Sequence, residues 1–428
     1  MTLDNALPRR RRSRLLRVLG PGLITGASDD DPSGIATYSQ AGAQLGYSIS
    51  WVMLFTYPLM AVTQEISARI GRVTGHGIAG NMRRHYSPWL LQCVVGLLLL
   101  ANIVNLGADL SAMGDAVRLL VGGPTEIYIV AFTLICVAAQ IFLDYARYVS
   151  ILKWTTLSLF AYFCVLFAVR IPWSEVARGL VVPSISLDAG FVTTLVAMLG
   201  TTISPYLFFW QSSQEAEDTR EDPERDPLVR APAQAPRAFE RIRIDTYIGM
   251  ALSNLVGLAI IVTTAATLNA SGATNVETAA QAAEALRPTA GPLAFTVFAM
   301  GIVGTGMLAV PVLAGSAAYA IGEARDWPVG LARRPAEARA FYGTLAIATF
   351  LGAGIAFSPI DPIRALYWSA VINGVISAPV MGVIVLMGGD RRVMSKFTLP
   401  LWLSLLGWAA TSVMALSSGA FLVLSVLP

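Results

Sequence analysis

Residues 20–46 read GPGLITGASDDDPSGIATYSQAGAQLG, and residues 195–218 read LVAMLGTTISPYLFFWQSSQEAED. Each is an apolar stretch interrupted by a proline, Pro32 in the first and Pro205 in the second. Proline removes a backbone donor and clashes with the turn before it, so both stretches are predicted to be helices broken near their middle. In lipid the carbonyls freed by a break need partners, and such breaks persist only against protein or beside a wet cavity. Simple kinks packed on neighbouring helices would also satisfy them. Paired breaks at corresponding places in two halves of a chain instead point to the substrate site of a transporter.

The rest of the chain supports a bilayer setting. Of 428 residues, 55% are hydrophobic and 13% charged, against about 25% charged in soluble domains. About 20 apolar residues cross a membrane. On that measure eleven transmembrane helices are predicted near 18–46, 49–70, 88–120, 126–145, 150–170, 188–214, 243–268, 291–322, 339–357, 361–388 and 398–426. Placing the N-terminus in the cytoplasm puts 25 of the 30 Lys and Arg residues on the inner side, as the positive-inside rule requires. The C-terminus is then extracytoplasmic and the membrane a plasma (inner) membrane. A basic cytoplasmic tail covers 1–17, and a charged, Pro-rich cytoplasmic loop covers 215–242. The loop divides the chain into 18–214, holding the first repeat and the start of the second, and 243–388, the rest of the second. This gives an all-α integral membrane protein, a five-plus-five inverted repeat with helices 1 and 6 broken, and one extra C-terminal helix over 398–426. The small net charge of +3 calls for no nucleic-acid partner. Cys93, Cys136 and Cys164 are far apart in apolar runs, and His76 and His85 lie in a basic loop, so neither set forms a disulfide or zinc framework.

Asp29, Asp30 and Asp31 interrupt the first break at mid-depth. A charge there is costly and is expected to face a cavity or a cation. Asp31 directly precedes Pro32-Ser33-Gly34, where its carboxylate would stand beside unwound carbonyls. It is the leading ion ligand, with Asp30 a second candidate, although one or two of the aspartates could instead cap the following half-helix. The second break adds the Thr201 carbonyl and the Ser204 hydroxyl. An all-oxygen set suits hard ions such as Mg²⁺, Ca²⁺ or Mn²⁺. Glu65, Asn102, Asn105, Asp109, Asp115 and Asn373 are the other intramembrane polar residues, a type that more often bonds between helices than to a ligand.

In DPSG at the first break, QEISARIGRVTGHGIAG at 64–80, GADLSAMGDA at 107–116, RIDTYIGMALSN at 243–254 and GPLAFTVFAMGIVGTGMLAVPVLAG at 291–315, the chain resembles the natural-resistance-associated macrophage protein (NRAMP) family of divalent-metal transporters. The likeness runs from about residue 18 to 390 and implies the inverted-repeat fold shared with the leucine transporter. The family's first break usually reads Asp-Pro-Gly-Asn, with Asp and Asn on the metal; here Asp31 keeps the acid and Gly34 takes the Asn position. Its second break usually reads Met-Pro-His; here Ser204 and Tyr206 take the Met and His positions, and the metal-facing carbonyl maps to Thr201. Asn373 falls where the family has a glutamine near the ion. Asp109 matches a third-helix aspartate, but the glutamate three residues on is Ala112.

These departures are similar to the magnesium-transporting branch of the family. Loss of sulfur relaxes discrimination against Mg²⁺, and smaller side chains suit an ion that keeps much of its water. Loss of the histidine and glutamate implies weak or absent proton coupling. The expectation is import of Mg²⁺, with Mn²⁺ as competitor, by a protein that is not an enzyme, needs no cofactor and implies no obligate protein partner beyond the bilayer. A proton-coupled Mn²⁺/Fe²⁺ importer, an organic-substrate symporter and a non-transporting sensor or scaffold are the alternatives.

Overall fold

The computed structural model describes residues 25, 26, 28–143 and 159–426. The basic tail over 1–17, the GPG at 20–22 and parts of the first, fourth and fifth expected spans fall outside them.

The first break is local chemistry. Thr25, Gly26, Ser28 and Asp29 are helical, and the helix stops at Asp30. Asp31 then caps α1 (Pro32–Leu45), its side chain accepting from Gly34 N, with Pro32 in the first turn. A proline with no N–H is tolerated there because the first turn's donors are unpaired anyway. The second break repeats the pattern. α8 (Ala189–Thr202) ends at Ile203, and α9 (Pro205–Glu221) starts with Ser204 at the cap and Pro205 in the first turn.

Between the breaks lie α2 (Trp51–Thr74), α3 (Ile78–His85), α4 (Pro88–Val121), α5 (Thr125–Phe142), α6 (Phe160–Ala168) and α7 (Trp173–Val181). After them come α10 (Ala235–Thr267), α11 (Ala294–Arg325), α12 (Arg339–Ala356), α13 (Pro362–Gly389) and α14 (Leu401–Val426). Eight described helices are long and apolar enough to cross a membrane. The first two expected spans qualify together, as a pair bent by 110° between α1 and α2. α2 carries Glu65, Arg69 and Arg72, and all three are buried in the protein rather than turned to lipid.

Burial sorts the helices into centre and rim. The apolar window of the α8–α9 span is 89% buried, whereas that of α5 is 28% and that of α14 is 22% buried. The broken helices are therefore at the axis of the bundle and α5 and α14 face outward. Backbones touch where the breaks meet their neighbours: a Cβ on Gly200 of α8 would collide with Ala370 O and Gly374 N of α13. Gly306 of α11 packs on Met113 of α4, so that small residue serves contact within the chain.

The loop expected over 215–242 is shorter, running over 222–234 between α9 and α10. Its flanking charges are absorbed into structure. Glu215 pairs with Arg241, and Arg225 lies 3.1 Å from Asp222. The loop is tied to the end of α2, where Arg72 donates to Asp226 O at 2.6 Å and Gln234 Oε1 at 2.7 Å.

Candidate functional site

The Asp31 carboxylate lies between the two breaks and α4, and is 2% exposed. One oxygen, Oδ1, accepts from Gly34 N at 2.7 Å. The other, Oδ2, accepts from Asn105 Nδ2 of α4 at 3.1 Å and from the Tyr206 hydroxyl of α9 at 3.4 Å. Tyr206 also donates to Ser28 O at 3.1 Å, the last turn before the break. Ser369 of α13 continues the chain, donating to Asn105 Oδ1 at 2.7 Å. Ser33 donates to Leu366 O at 3.2 Å. Three elements thus converge on one carboxylate through neutral donors, and α13 joins them through Asn105.

Gly34 faces the second break. A Cβ there would lie 3.4 Å from each of Asp29 O, Thr201 Oγ1 and Tyr38 Cε2. A methyl there would just reach contact on three sides, so the glycine lets the two breaks approach closely. Thr201 is 3% exposed. Ser204 turns back into its own helix, donating to Gly200 O at 2.8 Å and Thr201 O at 2.9 Å. Its oxygen can still accept or ligate, and it helps fix the carbonyls of the break. Asn373 is 1% exposed, and its Oδ1 is among the buried atoms with no hydrogen-bond partner. Nearby Ser377 donates to Ile203 O at 2.6 Å, securing α13 to the second break.

The three aspartates divide. Asp29 and Asp30 turn to α10, where the Ser253 hydroxyl bonds Asp29 at 2.6 Å and lies 3.1 Å from Asp30. The structure therefore gathers Asp31, Gly34 and Thr201, and sends Asp30 to a different helix. Asp109 of α4 is fully buried, with no partner for either oxygen. Among the described residues no three His, Cys, Asp or Glu side chains cluster as a metal cage. What the site offers a ligand is one carboxylate with carbonyl, hydroxyl and amide oxygens. Sets of that kind hold hard, partly hydrated cations.

Sequence reasoning placed Tyr206 at the second break and noted Asn105 as polar without making either a partner of Asp31, and it passed over Ser369. Asn105 and Asp109 are one turn apart on α4, and a polar helix face inside the membrane was the available signal for the first. Nothing local marks Ser369.

Toward the other end of α9 the bundle is closed by two buried glutamates. Glu323 of α11 accepts from Gly77 N at 3.2 Å, Gly80 N at 3.0 Å and Ser213 Oγ at 3.0 Å. Glu217 accepts from the Tyr319 hydroxyl, and from Leu331 N at 3.2 Å and Ala332 N at 2.8 Å. Glu323 thereby caps α3, whose own cap residue Gly77 has no side chain.

Comparison with known proteins agrees with the motif reading. The profile of the family described as natural resistance-associated macrophage protein-like matches residues 22–424, so the match extends through α14. A protein named divalent metal cation transporter MntH from Klebsiella pneumoniae is 25% identical over 438 aligned positions, covering 99% of this chain and 98% of its own. One of the same name from Ralstonia nicotianae is 30% identical over 68% of this chain and 66% of its own. In fold, the chain is similar to a manganese transporter of Eremococcus coleocola, with a TM-score of 0.76 at 16% identity over 98% of this chain and 90% of that one.

Proposed function

Because this chain belongs to the natural resistance-associated macrophage protein-like family, we propose that it imports divalent metal cations, with Mg²⁺ preferred, Mn²⁺ competing, and little or no coupling to protons. It is a transporter and not an enzyme: no bond is made or broken. The ion binds at Asp31, largely hydrated, with the Thr201 carbonyl, Ser204, Asn373 and Gly34 completing its surroundings and Asp30 behind them.

The observation that carries this reading is the chemistry around Asp31. The groups on its carboxylate are an amide, a phenol and a backbone N–H, with neither sulfur nor imidazole among them. Mg²⁺ dehydrates reluctantly and is usually held by one or two carboxylates plus water. A single carboxylate beside hydroxyl, amide and carbonyl oxygens suits it. A soft ligand that would reject Mg²⁺ in favour of Mn²⁺ is missing. The membrane potential supplies about 2.3 kcal/mol per charge per 100 mV, so a divalent cation can be accumulated without a second ion. The orientation that serves import has the N-terminus in the cytoplasm, and the 222–234 loop lies within the second repeat, after its broken first helix α8–α9.

A second reading, proton-coupled Mn²⁺ import, is favoured by the names of the relatives and by the buried, unpartnered Asp109. Proteoliposomes under an inside-negative potential separate the two. Saturable Mg²⁺ influx without acidification of the lumen is expected. Mn²⁺ influx with acidification and no Mg²⁺ influx would sink the first reading and establish the second.

A further inference from the structure

A cavity of about 280 Å³ opens on the side where α1 ends, lined by Ala36, Gln40, Glu277, Arg364 and Tyr367, among others. Ala36 is one turn beyond Ser33 on α1, and Tyr367 directly follows Leu366 on α13. The Ser33–Leu366 hydrogen bond joins the same two helices next to the cavity wall, and Ser369 of α13 bonds Asn105, a partner of Asp31. The segment 274–277 forms the cavity's outer wall and is strapped to α1. Gln40 Oε1 accepts from Val276 N at 2.7 Å, and Gln40 Nε2 donates to Thr274 O at 3.3 Å. At the mouth, Glu277 of this strap pairs with Arg364 of α13, their side chains 48% and 57% exposed.

We propose that this cavity is the vestibule through which the cation reaches Asp31, and that Glu277 is its recruiting carboxylate, held in check by Arg364. The inference rests on the import reading above and goes beyond it. An exposed ion pair is worth little to stability, about 0–1 kcal/mol, so an arriving divalent cation can displace the guanidinium from Glu277. Arg364 then acts as a tethered competitor. It keeps the mouth neutral when no ion is present and weakens capture at low concentration. Asp361, also at this end of α13, caps Ile363 N at 3.0 Å with one oxygen and lies near Asp115 and Arg364; Glu277 is the carboxylate on the cavity wall itself.

The two partners must therefore act in opposite directions. With Mn²⁺ or Mg²⁺ influx into proteoliposomes as the assay, Arg364→Gln lowers KM and Glu277→Gln raises it. Each change is on the order of tenfold at low ionic strength, the lower end of what a charged cleft contributes, and shrinks as salt screens it. Maximal rates are unchanged and the double variant returns towards the parent. Two variants that lower the rate together, without salt dependence, would make the pair a structural latch and overturn the proposal. A second measurement needs no transport. Asn275→Cys places a thiol on the cavity wall, and its reaction with membrane-impermeant cationic and anionic methanethiosulfonates is followed from outside, against the parent's own Cys93, Cys136 and Cys164. The cation-to-anion rate ratio rises on adding Arg364→Gln and falls on adding Glu277→Gln. An unchanged ratio, or a thiol reached only from the cytoplasmic side, refutes the vestibule even if divalent flux itself is sound. Absence of flux in the parent with the expected ratios refutes the import reading and leaves the charged vestibule standing.

Discussion

Replacing Asp31 by asparagine separates what this residue does for the fold from what it does for the ion. As a cap, Asp31 needs one oxygen to accept from Gly34 N at 2.7 Å. Asparagine caps helices about as well as aspartate, so the break before α1 survives. Its amide can keep the oxygen toward Gly34, but its nitrogen then faces Asn105 Nδ2 and the Tyr206 hydroxyl, which donate to the parent carboxylate. The parent carboxylate is 2% exposed and receives no ion pair among the described residues, so losing these two bonds is offset by no longer burying a charge. Expected thermal stability is within about 3 °C of the parent, equivalent to a change of about 1 kcal/mol. Ion binding is different. A unit charge pair at 4 Å is worth about 4 kcal/mol at an effective dielectric of 20, and a divalent cation doubles that before dehydration offsets it. The net loss on removing one partner of a buried charge pair is about 3–5 kcal/mol, or two to three and a half orders of magnitude in Kd. Calorimetric titration of purified protein with Mg²⁺ and Mn²⁺, beside a melting curve, reads both. Retention of affinity within threefold would show that the ion sits elsewhere, with Asp29 and Asp30 beside Ser253 of α10 the next place to look. A collapse of the melting temperature would show that the carboxylate is structural.

Two further outcomes follow from neighbouring chemistry. Ser204→Met exchanges a hydroxyl bonded to Gly200 O and Thr201 O for a thioether at the second break; the Mn²⁺-to-Mg²⁺ uptake ratio should rise about tenfold, ~1.4 kcal/mol, and competition uptake with both ions checks it. His76, in the turn between α2 and α3, is pushed down to about 4 by burial and by the nearby Arg84 and Arg220 guanidiniums. Its folded value is below the ordinary 6.5, so the unfolded chain binds the extra proton, and stability falls as pH drops from about 6.5 towards 4. His76→Gln should flatten that part of the stability–pH curve measured by thermal shift, and an identical curve would contradict the burial argument.

How far the site was legible depends on whether its chemistry is local. Asp31, Pro32 and Gly34 announce themselves because three rules collide within four residues: charge in an apolar run, a proline in a helix, and a cap at the restart. Pro205 marks the second break without a charge, and both restarts place proline in the first turn, although Ser204 makes no capping bond where Asp31 does. Most of the expected apolar spans are helical among the described residues. The partners of Asp31 were not legible. Asn105 is 74 residues away, Tyr206 is 175 residues away, and Ser369 reaches the site only through Asn105. Each is an ordinary intramembrane polar residue until the helices are assembled. Composition also misled at 215–242. A run of Glu, Asp, Arg and Pro reads as a solvated loop, but Glu215 and Glu217 are 0% and 3% exposed. Their charges are met by Arg241, Tyr319 and backbone N–H groups from distant segments, which no periodicity reveals.

The same buried glutamates give the structure a direction. On the side of the cavity, α1 and α13 are joined next to the cavity wall by the Ser33–Leu366 bond at 3.2 Å. On the other side, α9 runs buried for most of its length, and Glu323 and Glu217 each hold two backbone N–H groups from segments that follow α2 and α11. Those contacts are hydrogen bonds to charged acceptors, worth about 1.5–3 kcal/mol each, and they join separate helices rather than turns of one helix. Opening that side means exchanging them for water as the segments part, so the net cost per bond is much smaller than the bond itself. The barrier is cooperative all the same, because each glutamate bridges two or more elements and releases them together. A cation at Asp31 is therefore nearer to the vestibule in this state. Passage onward depends on loosening two carboxylate-centred clamps whose strength resides in trans-capping, with Gly77 and Gly80 close enough to Glu323 that a side chain at Gly77 would occupy the carboxylate's own position.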